Sequence, residues 1–407
     1  MKPALALLVC CGAIALAFAA LGQPAAPQNA GGAPKAAGVD SATERGLAAA
    51  RDYHPPQGIA FRAADFISEN VRLTAQWFYA PKSEGENEGR KLPTVIIANG
   101  WGGTAASLRQ DAVDLARAGY LVMLFDYRGW GDSDGRVMLT SPQSKPGGPA
   151  AGGTFTAQLR ELRGYVDPWE QVEDWFNAIS YAAADPMVDA GRIGVLGYDL
   201  SGGHVIDLAA HEPRVKALVS QVTRADTRPV KPYEPDPARV IADANTQASR
   251  LATGGQASAR IGAPVGNKVV RWAPVEQANQ VTAPALFVLA QKEELFSNTY
   301  NGQLACERVT GPRKMVMFPN ITHDGVYGAE RQRAITAAID WFDRYLKPPD
   351  LKSPDLKSGG PPTRSPINSK EPERGECNPP PLPPAGEEEK TGSGQGHKAQ
   401  ATSGRFN

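Results

Sequence analysis

Between residues 95 and 346 the sequence alternates in one regular way. Short β-rich apolar runs at Val95 to Ala98, Leu121 to Phe125, Ile193 to Leu196, Ala217 to Ser220, Ala285 to Leu289 and Met315 to Phe318 are separated by segments of helical period. Strands apolar on both faces are those that helices cover from both sides, so this repetition predicts a parallel sheet with crossover helices. The helical segments are Thr104 to Arg117, Pro168 to Ala183, Gly203 to His211 and Ala329 to Leu346; the last places Ile335, Ile339, Phe342 and Leu346 on one face. Two earlier runs, Ile59 to Phe66 and Val71 to Tyr79, read as antiparallel edge strands leading into the sheet. The expected class is therefore α/β, a mostly parallel sheet flanked by helices. With 407 residues and 42% of them hydrophobic, the chain has ample material for such a core.

Two stretches interrupt the pattern. Residues 137–166 and 224–280 are longer than a crossover requires, and excursions at the carboxyl ends of parallel strands build lids and specificity pockets. Both are read as lid insertions in a domain spanning residues 51–346. Residues 1–22 read as an export signal: Met1-Lys2, an apolar run from Ala4 to Leu21, and Ala17-Phe18-Ala19 fitting the small-residue cleavage rule. The expected location is then secreted or periplasmic, free of the membrane after cleavage; a retained anchor of about 18 apolar residues is the alternative. Val9 ahead of Cys10 argues against a lipid attachment there. Residues 23–50 and 347–407, the latter with the run NPPPLPPAGEEEK, offer little to pack and read as a disordered linker and a proline-rich tail. Once the signal is removed only Cys306 and Cys377 remain, either as a disulfide suited to an oxidising compartment or as two free thiols.

The 43 basic and 43 acidic residues cancel, and no basic stripe is interleaved with aromatics, which speaks against nucleic acid as a partner. No His or Cys cluster has metal-ligand spacing, and no glycine-rich loop opens a helix after the first strand, so neither a metal nor another cofactor is expected. A small organic molecule is the expected partner.

The most specific segment is RIGVLGYDLSGGHV, Arg192 to Val205, a strand, a tight turn of small residues and a helix. A turn of this kind holds one side chain above the sheet in a strained conformation, and only small residues fit two positions before and after it. Gly197, Asp199 and Ser201 satisfy that rule with Asp199 presented. A second register presents Ser201 between Asp199 and Gly203, at the cost of a strand two residues longer and of aspartate where glycine is preferred.

Through VIIANGWGG, LFDYRGWGDSDG, RIGVLGYDLSGGHV and FPNITHDGVYG, the span from Val95 to Leu346 resembles α/β-hydrolases of the dienelactone-hydrolase and X-Pro-peptidase-like group. The resemblance covers about three fifths of the chain and speaks to fold far more than to substrate. In that group the turn typically reads Gly, any, Ser, any, Ser, Gly, Gly, so Asp199 stands where relatives carry the nucleophilic serine and Ser201 matches the second, small serine. Aspartate there is the choice made by epoxide hydrolases and haloalkane dehalogenases, more distant members of the fold. The fold's order of nucleophile, acid and base then implies Glu293, ahead of Glu294, as the acid, with Asp226 as the fallback. It implies His323 as the base, the one histidine of five in that position. Backbone N–H groups of Leu200 and of Trp101, after Asn99-Gly100, are the expected oxyanion donors. Asp126 and Arg128 are expected to brace loops.

A carboxylate attacking an ester gives a mixed anhydride, whereas its attack on an sp3 carbon bearing a halide or an epoxide oxygen gives an ordinary alkyl ester that His323 and water then hydrolyse. Leu200 occupies the place where many aspartate-nucleophile relatives carry tryptophan for the leaving group. Tyr165 and Tyr233 are candidate proton donors, and Trp101 and Trp130 candidate N–H donors to a halide. Three readings stay open from sequence: an Asp199 hydrolase of a small organic electrophile, an esterase or peptidase-like acyl hydrolase using Ser201, and a binding protein that keeps the fold without the chemistry.

Overall fold

The computed structural model describes residues 49–81, 91–140, 156–228, 263–347 and Cys377. The expected signal at 1–22, nearly all of the 23–50 linker, Tyr233 with most of the second excursion, and the tail apart from Lys347 and Cys377 lie outside the described residues.

The strands are β1 (Ala60–Ser68), β2 (Val71–Tyr79), β3 (Leu92–Ala98), β4 (Leu121–Phe125), β5 (Arg136–Leu139), β6 (Leu159–Leu162), β7 (Tyr165–Val166), β8 (Val188–Tyr198), β9 (Val215–Gln221), β10 (Ala263–Pro264), β11 (Ala285–Ala290) and β12 (Arg313–Phe318). Four helices carry the packing: α1 (Arg109–Arg117), α2 (Pro168–Ala183), α3 (Leu200–His211) and α4 (Arg331–Leu346). The main sheet runs β1-β2-β4-β3-β8-β9-β11-β12. β1, β2 and β4 pair antiparallel, and every pairing from β4 to β12 is parallel.

Along β8 the side chains alternate between two apolar layers. Val195 faces the layer containing Val172, Trp175 and Val205 of α2 and α3, and Leu196 faces the layer containing Val113, Ile335 and Phe342 of α1 and α4. Each central strand is thus apolar on both faces because both faces are covered, which is why its sequence shows an unbroken run. Helix α2 begins where Pro168 fits the first helical position and the Asp167 carboxylate accepts the Trp169 and Glu170 N–H groups.

From β3 the chain moves to β4 on one side, while from β8 it moves to β9 on the other. A crevice opens outside the carboxyl ends of strands at such a switch point. The segments that leave β3 and β8, Asn99-Gly100-Trp101 and Asp199, therefore meet in it.

The first excursion begins as the hairpin β5–β6. Its end, β7, pairs in parallel with β10 from the second excursion, Tyr165 opposite Ala263 and Val166 opposite Pro264. The Val265 N–H adds a bond to the Val166 carbonyl at 2.9 Å, and Lys268 pairs with Asp167. Cys306 and Cys377 are joined by a disulfide, the first of the two sequence alternatives, and Cys306 is fully buried in the core.

Candidate active site

Strand β8 runs through Gly197 to Tyr198, two residues beyond the apolar run that marks it in sequence, and the bend falls at Asp199. There φ is 50° and ψ is −118°, a conformation that non-glycine residues avoid and that costs about 1–3 kcal/mol. Helix α3 starts at the next residue. The turn is tight enough that a Cβ on Gly197 would lie 2.1 Å from the Ser201 carbonyl oxygen. A Cβ on Gly100 would lie 2.8 Å from Asp199 Oδ2, so the carboxylate rests against the backbone leaving β3.

The Trp101 N–H donates to Asp199 Oδ2 at 3.0 Å. The second expected donor, Leu200 N–H, is the first amide of α3 and has no acceptor within the helix. Asp199 as a residue is 8% exposed.

His323 follows β12 and meets the loop after β11. Its Nδ1 lies 2.9 Å and 3.1 Å from the two oxygens of Glu293, whose side chain is 1% exposed. The neighbouring Glu294 does something sequence reasoning did not assign: its Oε2 accepts the His323 backbone N–H at 2.9 Å. Two consecutive glutamates thus hold the histidine by ring and by backbone. Burial pulls the imidazole pKa down, but the Glu293 hydrogen bond and the charges of Asp199, Glu293 and Asp324 outweigh it, and the net shift is upward. The ring is further confined by Phe296, edge-on at 5.7 Å, and by Tyr327 at 5.7 Å.

The structure separates the other sequence candidates from this group. Asp226, the fallback acid, is bound to Arg228 through both oxygens and does not meet His323. Ser201 is fully buried on α3, with its hydroxyl 2.9 Å from the Tyr127 hydroxyl. Tyr127 also contacts His204 Nδ1 at 2.9 Å and accepts from Trp175 Nε1 at 2.7 Å, forming a polar knot beneath the turn that the sequence reading missed. Burial there lowers the His204 pKa to about 3 and raises that of Tyr127. Trp130 is no halide donor, because its Nε1 is spent on the Tyr165 carbonyl at 2.7 Å. Arg128 and Asp126 brace loops as expected. Arg128 pairs with fully buried Asp174, and Asp126 accepts from Ala105 and Asp132 N–H groups, burial raising its pKa to about 6.

The strained Asp199 follows β8, the Glu293-bound His323 follows β12 and the Trp101 N–H donor follows β3. Residues 69–234 match the model of the X-Pro dipeptidyl-peptidase family, S15. The crystal structure of a hypothetical protein from Pseudomonas aeruginosa superposes with a TM-score of 0.57 at 17% identity, covering 72% of this chain and 96% of that one. The chain is a hydrolase of the α/β-hydrolase superfamily. Among curated relatives, this hydrolase is 25% identical to an uncharacterized 31.7 kDa protein of Escherichia coli over 69% of its own length and 98% of the relative's. It is also 32% identical to the quorum-quenching protein AidA of Acinetobacter baumannii, over 40% of this chain and 43% of that one.

Proposed function

We propose that the protein is an exported hydrolase in which Asp199 attacks an sp3 carbon of a small organic electrophile, an epoxide, a halide or a comparable alkyl compound. The observation that carries this reading is the 3.0 Å bond from Trp101 N–H to Asp199 Oδ2. A serine would leave that donor waiting for an oxyanion. An aspartate places one oxygen on the donor from the start and leaves Oδ1 to attack.

In the first step the bond from Oδ1 to carbon forms as the carbon–halogen or carbon–oxygen bond breaks, and the departing atom keeps the electron pair. Oδ2 is now the carbonyl oxygen of an alkyl ester, already within reach of the Trp101 N–H. In the second step His323, held by Glu293, takes a proton from water while the water oxygen adds to the Asp199 carboxyl carbon. Charge gathers on Oδ2, where the donor sits. Collapse releases the ester oxygen, which takes the proton back from His323, and the restored Asp199 carboxyl gives up the second proton of water, to solvent after a halide or to the oxygen freed from an epoxide, returning the carboxylate. What speaks against Ser201 in this reading is its buried hydroxyl, 2.9 Å from that of Tyr127 in the layer under the turn. A protein kept only for binding has no use for a histidine gripped by two glutamates. Export is supported by the signal pattern of residues 1–22 and by the Cys306–Cys377 disulfide.

The test is a His323→Gln variant incubated with a panel of epoxides and alkyl halides. The expected result is a substrate-mass adduct on the peptide containing Asp199. In the unaltered enzyme, one turnover in H₂¹⁸O places label in the Asp199 carboxylate before the product. Full turnover by Asp199→Asn, or no adduct across the panel, overturns the reading.

A further inference from the structure

Arg224 lies just past β9, and its backbone N–H donates to the Asp199 carbonyl at 3.0 Å, so the residue is fixed to the nucleophile's own backbone. Its guanidinium stands between two aromatic rings, with Cζ 5.5 Å from the Trp101 centroid and 5.7 Å from that of Phe296. Trp101 supplies the N–H on Asp199 and Phe296 meets His323 edge-on, so the cation sits among the residues that adjoin nucleophile and base.

Among the described residues no acceptor meets the Arg224 side chain. Arg128, Arg228 and Arg331 each have a carboxylate at ion-pair distance. Among the described residues Arg224 has none, and its Nε is buried without a hydrogen-bond partner. The carboxylates of the site are committed elsewhere, Asp199 Oδ2 to Trp101 and Glu293 to His323. A partly buried guanidinium with its Nε unpartnered is completed by an anionic ligand, and its flat fork matches a carboxylate with two parallel bonds. The two rings hold the fork in place and remove the freedom that binding would otherwise have to restrict. Since the cleft already contains the negative charge of Asp199, an anionic ligand needs a fixed cation to be accepted at all.

We propose that Arg224 receives a carboxylate carried by the substrate, which makes the substrates small electrophilic organic acids, such as epoxy or halo acids, and the products hydroxy acids. The inference deepens the Asp199 reading and rests on it for the reaction, while the anion site itself is testable without any reaction.

Two arms separate the claims, using the full-length protein and its Arg224→Gln and Arg224→Lys variants, each checked for an unchanged melting curve. In the binding arm, calorimetry compares butyrate with butyramide. The expected result is a preference of the parent protein for butyrate that falls about tenfold to a hundredfold in Arg224→Gln and is partly kept in Arg224→Lys. In the reaction arm, 2,3-epoxybutyrate is preferred over its amide by a similar factor, seen mainly in KM, and the preference disappears in Arg224→Gln. Equal binding of butyrate and butyramide by the parent protein, or unchanged butyrate binding in Arg224→Gln, overturns the proposal. Selective butyrate binding without reaction of either epoxide supports the anion site and counts against Asp199 as nucleophile.

Discussion

Replacing Glu293 by glutamine probes the bond on which the second step of the proposed mechanism depends. Glu293 meets His323 Nδ1 at 2.9 Å and 3.1 Å, with side-chain exposures of 1% and 6%. Such a buried, charged hydrogen bond contributes about 1.5–3 kcal/mol to the imidazolium that forms when His323 takes the proton of water. At 1.36 kcal/mol per factor of ten, its loss slows hydrolysis of the ester by roughly tenfold to 150-fold. In the proposed mechanism attack by Asp199 does not use the imidazole, so the first step should persist, and pre-steady-state measurements should show a burst followed by accumulation of the covalent ester. The acid side of the kcat profile should move as well. His323 must be neutral to act, its pKa is raised, and activity therefore falls as pH drops through that raised value. Glu293→Gln removes one cause of the rise, so the limb moves to lower pH while the plateau falls. A plateau within twofold of the parent, with an unmoved limb, would refute the assignment of Glu293 as the acid that orients His323.

Asp199→Ser should convert the site to serine chemistry, since the Trp101 donor and the Glu293–His323 pair are untouched; a fluorophosphonate then labels residue 199 and not the parent protein, and absence of labelling shows that His323 does not serve position 199. Tyr127→Phe removes the hydroxyl shared by Ser201, His204 and Trp175, with an expected loss of about 3 kcal/mol, roughly 6–12 °C in melting temperature, read by calorimetry. Ser201→Ala should cost about 1 kcal/mol and keep turnover within a few-fold; abolished turnover would return Ser201 to candidacy. Reducing the Cys306–Cys377 bond, which closes a 71-residue separation, should lower the melting temperature, with about 4 kcal/mol as the ceiling from loop entropy. An identical melt with and without reductant contradicts that role.

The sequence marks elements well where a local signal defines them. Helix α2 has the bounds read from Pro168 and its periodicity, and Leu121–Phe125 is the strand expected. Strand β8 and helix α3 are longer than their patterns. β8 extends because Gly197 and Tyr198 find partners in Ser220 and Gln221 of β9, and α3 begins at Leu200 because the bend at Asp199 leads straight into it. Within the site, the turn motif points to Asp199 and the resemblance implies Glu293 and His323, of which the last two meet through the imidazole Nδ1. Neither reveals the grip of Glu294, the knot around Tyr127 or the seat of Arg224 between Trp101 and Phe296. These are contacts between residues far apart in sequence, and periodicity reports which way a side chain faces without naming what it meets. The same limit applies to Trp130, a candidate halide donor by sequence whose N–H donates instead to the Tyr165 carbonyl.

The pairing of β7 with β10, reinforced by Val265 and by the link from Lys268 to Asp167, stitches the described ends of the two excursions to each other. Because Asp167 also begins α2, this junction is anchored in the body of the domain. Transplanting one excursion from a homologue would sever these stitches, so altered substrate choice in this scaffold has to be engineered, or evolve, with both segments changing in concert.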